Sequence, residues 1–109
     1  MVQGMGRRRI PEKSLSEPID SLLVKTVVDE VDLHGLDARG AEIRLESVLA
    51  RWSSRPGTVV RVITGRGNRS DGSAVLKPLV AKLLSSRLAQ QVEKYTLEPS
   101  GGAYLVQVR

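Results

Sequence analysis

The one histidine of the chain, His34, lies two residues after Asp32 in the stretch Val31-Asp32-Leu33-His34-Gly35. Side chains of a strand alternate between its faces, so Asp32 and His34 share one side and Val31 and Leu33 the other. A carboxylate beside an imidazole orients the ring, favours its charged form and raises its pKa, and imidazole exchanges protons near neutrality. The pair suits general acid or base chemistry. A plain polar face would carry the same residues, because Val28 and Glu30 share that side.

A second group follows downstream in Thr64-Gly65-Arg66-Gly67-Asn68-Arg69-Ser70. Gly65 and Gly67 let the backbone turn tightly and approach a phosphate, with N–H groups and the next helix N-terminus facing the anion. Arg66 and Arg69 add charge-assisted donors whose fork fits phosphate oxygens. A Walker loop needs Gly-Lys-Ser or Gly-Lys-Thr, which is absent. The dinucleotide fingerprint fails at Ser70, and the remaining chain is too short for a doubly wound domain. A sharp turn with solvated arginines is the plainer reading of the same loop.

The elements that must position these groups can be read from periodicity. Val27 to Leu33 alternates and is β-branched, which makes a strand. Asp37 is placed to cap a helix running to about Trp52, with Ala38, Ala41, Leu45, Val48, Leu49 and Trp52 on one face. Thr58 to Thr64 reads as a second, central strand, and strand, helix and strand form a right-handed unit with parallel strands. Ser73 to about Ser85 is a second helix, in which Pro78 predicts irregular early turns. Val92 to Glu98 and Ala103 to Val108 form a hairpin over Pro99-Ser100-Gly101-Gly102.

The order is βαβαββ, an α/β, two-layer α+β fold: a four-stranded mixed sheet with both helices on one face. Ligands of open α/β sheets bind beyond the carboxyl ends of parallel strands. The Asp32–His34 pair and the Gly65 loop therefore meet on one rim.

Residues 1–26, with Gly4, Gly6, Arg7-Arg8-Arg9, Pro11 and Pro18, read as a flexible basic arm, and residues 27–109 as the domain. Within the arm, Ile19 to Val24 suits a short helix or an extended cover. The 109 residues allow one compact domain. Without cysteine there is neither disulfide nor thiolate metal site, and one histidine excludes a histidine-rich zinc site. A divalent cation such as Mg²⁺, held by carboxylates, is the only metal the composition admits. No apolar run nears the roughly 20 residues that span a bilayer, and no apolar stretch follows the arginine triplet as a signal peptide requires. The expectation is a cytoplasmic protein with no membrane partner.

A net charge of +5 favours a polyanionic partner. Five basic and three acidic residues fall in 1–26, and twelve and nine after it, so the excess is not confined to the arm. Phenylalanine is absent and the aromatics are Trp52, Tyr95 and Tyr104. That argues against reading single strands by base stacking and for recognition through phosphates.

Together, Val31-Asp32-Leu33-His34-Gly35 before an amphipathic helix and Ile63-Thr64-Gly65-Arg66-Gly67 resemble the two motifs of the Smr (small MutS-related) domain. The longer string Gly65-Arg66-Gly67-Asn68-Arg69-Ser70, with Gly72 and Leu76-Lys77-Pro78 after it, is similar to the form in stand-alone and eukaryotic members. The resemblance covers about residues 27–109. It implies a nucleic-acid binder, often an endonuclease on DNA or RNA, with a fold similar to the carboxyl-terminal domain of the third translation initiation factor. By position it ties Asp32 and His34 to cleavage, and Gly65, Arg66 and Gly67 to nucleic-acid contact and activity. One departure stands out: the family's early Glu-Ala pair is replaced here by Gly40 and Ala41.

The leading expectation is a DNA- or RNA-cleaving endonuclease. His34 is its general base or acid, Asp32 orients the ring, and Arg66 stabilises charge on phosphorus. Gly65, Gly67, Asn68, Arg69 and Arg7, Arg8 and Arg9 would hold the nucleic-acid backbone. A non-catalytic nucleic-acid module is the second reading and a protein-interaction domain the third.

Overall fold

A computed structural model describes residues 20–66 and 73–109 of the chain. Six regular elements follow in the order β1 (Val27–Asp32), α1 (Ala38–Arg51), β2 (Val59–Ile63), α2 (Ser73–Ser85), β3 (Val92–Leu97) and β4 (Ala103–Val108). They form one four-stranded mixed sheet in the order β1-β2-β4-β3, with β1 and β2 parallel and β4 antiparallel to both of its neighbours. The βαβαββ order and mixed sheet expected from periodicity are those observed.

The helices cover one face. Ala41, Leu45, Val48 and Leu49 of α1 and Leu76, Val80, Leu83 and Leu84 of α2 pack on Val31, Val60, Val62, Tyr104, Val106 and Val108. Removing these side chains from water is the main force holding the two layers together. The other face carries a second, small cluster. A 3-10 helix at Asp20–Val24 lays Leu22 against Val59 and Leu105, with Val27 beside them. Farther along that face, Arg61 bonds Glu98 through Nε and Nη2, each at 3.0 Å, and reaches Glu30 at 3.2 Å. No helix among the described residues is long and apolar enough to cross a membrane.

A bulge at the start of β1 decides which way Val27 points. Val27 pairs with Val59 but Asp29 pairs with Val60, so Val28 is an extra residue. The shift turns Val27 to the second face, beside Leu22 and Val59, while Asp29 shares the helix face with Val31 and Leu33, where its Oδ2 accepts from Trp52 Nε1 and Arg51 Nη1, both at 2.9 Å. Glu30 and Asp32 alternate to the opposite face. Pro78 does sit inside α2. The neighbouring Lys77 carbonyl accepts the Tyr104 hydroxyl at 3.1 Å, which ties this part of the helix to β4.

Candidate active site

β1 is clamped at its end. Leu33 is fully buried and its N–H donates to the Ile63 carbonyl at 2.8 Å, so His34 emerges on the outer side with Asp32. Gly35 then takes φ +82°, a left-handed conformation that disfavours a Cβ, and Leu36 N–H closes the turn on the Leu33 carbonyl at 3.1 Å. Asp37 starts α1 by accepting from Gly40 N–H at 2.8 Å. A Cβ at Gly40 would lie 3.1 Å from that same Asp37 oxygen. A side chain at this position would therefore press on the cap. Glu42, two residues on, is paired with Arg87 beside the end of α2.

Asp32 Oδ1 accepts the His34 backbone N–H at 3.1 Å and meets the ring Nδ1 at 2.6 Å. Of the causes that hold the Asp32 carboxyl below its ordinary pKa, the bond from the His34 ring is the largest. Partial burial opposes it, while the His34 backbone N–H and the charges of His34 and Arg44 add to it. An ionised carboxylate can only accept, so Nδ1 carries the proton of this bond and Nε2 is the ring nitrogen turned away from Asp32. The side chains of His34 and Asp32 are 60% and 50% exposed, which opens the pair to a polymer running across the surface.

β2 brings the second group alongside. Asp32 pairs with Ile63, so the chain leaves β1 toward His34 beside the point where it leaves β2 toward Gly65. Thr64 is fully buried and its Oγ1 donates to the Gly65 carbonyl at 3.0 Å. The N–H groups of Thr64 and Gly65 both donate to the Gly102 carbonyl, each at 3.0 Å. The N–H of Gly65 is thus committed to the β3–β4 hairpin and does not face an anion. What Gly65 supplies is its φ of +88°, which turns the chain to present the exposed Arg66. Gly102 lies close beneath, where a Cβ would come within 3.7 Å of Arg66 Cγ.

Lys77 completes the rim. Its Nζ donates to the Arg66 carbonyl at 3.2 Å, placing a second cation beside Arg66. The sequence flagged Lys77 only within Leu76-Lys77-Pro78, and the hairpin glycines only as a turn. Nothing in their spacing shows that α2 and the hairpin fold back on the Gly65 turn. Gly67, Asn68 and Arg69, like Arg7, Arg8 and Arg9, lie outside the described residues.

No group of three His, Asp or Glu side chains able to hold a metal ion occurs among the described residues. The Asp32 oxygen that faces His34 is already shared by two N–H groups. These residues do not make a protein cage for a divalent cation.

Comparison with curated proteins finds no match. A family model described as the Smr domain matches residues 31–109, a span that includes the Asp32–His34 pair, the Gly65–Arg66 turn and Lys77. That family is nucleic-acid-binding and nuclease-related. With most of the chain under one family model, and with the sheet order and the two motifs meeting on one rim, the chain belongs to the Smr domain family.

Proposed function

We propose that this domain cleaves phosphodiester bonds in nucleic acid, with His34 as the proton-transfer group. The observation that carries the reading is the 2.6 Å bond between Asp32 Oδ1 and His34 Nδ1 at the end of β1, beside the turn that presents Arg66. Asp32 fixes the ring and stabilises its protonated form, and Nε2 exchanges protons with the substrate. Arg66 balances the charge that builds on the phosphoryl oxygens, and Lys77 holds the Arg66 backbone while adding charge to the same rim. Gly67, Asn68, Arg69, Arg7, Arg8 and Arg9, which lie outside the described residues, are the further candidates for contact with the nucleic-acid backbone.

On RNA the nucleophile is the 2′-hydroxyl. Nε2 takes its proton, the 2′-oxygen bonds to phosphorus, the bond to the 5′-oxygen breaks, and that oxygen leaves with a proton from water. The product is a 2′,3′-cyclic phosphate. On DNA, water must take the place of the 2′-hydroxyl. The test is to incubate the purified chain with labelled single-stranded, duplex and branched RNA and DNA, with and without EDTA, and to read the product ends. Cyclic phosphate ends that persist in EDTA are expected on RNA. Arg66→Ala should lower the rate about 10²- to 10³-fold. Complete loss of RNA cleavage in EDTA would sink the metal-free route, and binding with no cleavage of any substrate would leave a non-catalytic module in its place.

A further inference from the structure

On the side of Asp32 away from β2, a groove of about 160 Å³ runs between the outer edge of β1 and α1. It is lined by Glu30, Val31 and Asp32 of the strand and by Arg44, Ser47, Val48 and Arg51 of the helix. β1 is an edge strand, so alternate backbone groups face outward and not toward another strand. Leu33 N–H points to β2, which turns the backbone of Asp32 the other way, into the groove.

The carboxylates of the lining residues are engaged elsewhere. Glu30 reaches Arg61 across the sheet and Asp32 holds His34, while Arg51 is paired with Asp29. Arg44 is exposed, and among the described residues no ion pair or hydrogen bond engages its guanidinium. What the groove offers is a guanidinium with no hydrogen-bonded partner among the described residues, whose charge acts on Asp32, together with the Ser47 hydroxyl and an outward strand backbone. A guanidinium flanked by a hydroxyl is a phosphate receptor.

We infer that this groove binds the backbone phosphate next to the scissile one, with Arg44 as its principal ligand. The polymer then crosses the rim from Arg66 and Lys77, over His34, to Arg44, so that cations flank the reacting phosphate on both sides. This inference rests on the cleavage reading, and its test is separable from it.

The experiment measures binding of fluorescent RNA and DNA oligonucleotides to the full chain carrying His34→Ala, with and without Arg44→Ala or Arg44→Lys, over a salt series. Cleavage of the same oligonucleotides by the unsubstituted chain reports on the catalytic reading by itself. Arg44→Ala should weaken binding roughly three- to tenfold and reduce the slope of log K against log salt by about 0.7 to 0.9. Arg44→Lys should recover most of the slope, and a dinucleotide with a single phosphate should bind equally to all three proteins. Unchanged slopes and affinities in a variant that melts like its parent would overturn the subsite while leaving cleavage by the unsubstituted chain to stand. Salt-insensitive capture of an extended peptide along β1, competing with no oligonucleotide, would also overturn it.

Discussion

Asp32 and Asp29 are both carboxylates of β1, pointed to opposite faces by strand alternation, and both are held ionised below the ordinary aspartate range. For Asp29 the Trp52 indole N–H is the largest cause, with the Glu30 N–H and Arg51 adding to it against partial burial. For Asp32 the cause is chiefly the His34 ring. A depressed carboxyl pKa contributes stability that is present above the unfolded value and is lost as pH falls through the folded one. The chain should therefore lose stability on acidification below about pH 4. Asp29→Asn should flatten that acid limb and lower neutral-pH stability by about 1 kcal/mol, a figure kept small because Arg51 is solvent-screened. Urea melts between pH 3 and pH 7 would show it, and equal acid slopes in parent and variant would contradict it. The sequence showed Asp32 and His34 on one side because strand alternation is a short-range rule. The Lys77 contact with Arg66 was hidden because it depends on how distant segments fold together.

At the scale of elements, the Asp32–His34 pair depends on how β1 hands over to α1. Leu33 is anchored to β2, Gly35 turns the chain, and Asp37 caps the helix through Gly40. Asp37→Ala should cost about 1 kcal/mol, read as a lower urea midpoint at unchanged slope. A midpoint equal to that of the parent would show that the cap carries no stability. The cap was visible in the sequence, as were all four strands and both helices, because each has the periodicity of its type. The β1 bulge was not. Val27, Val28 and Asp29 alternate equally well in either register, and it is packing of Val27 on Leu22 and of Asp29 on Trp52 that selects one. The sequence left Ile19 to Val24 as a short helix or an extended cover. The burial of Leu22 in a 3-10 helix on the second sheet face resolves it.

At the scale of the molecule, two parallel strands end side by side, and a βα loop, a helix and a hairpin converge there to present His34, Arg66 and Lys77 on an open surface. Such a surface suits a long anionic polymer better than a small enclosed substrate, and the net charge of +5 points the same way. The rim follows from parallel pairing of β1 and β2, which the sequence order implied through the right-handed crossover. The groove beside α1 did not follow from it, since Arg44 reads in sequence as one charge among several on a solvated helix face. The most direct test of His34 as the proton-transfer group compares the unsubstituted chain with His34→Ala for both binding and cleavage of the same labelled nucleic acid. Binding should be retained while cleavage falls about 10²- to 10⁴-fold. Cleavage by His34→Ala at the rate of the unsubstituted chain would contradict that role.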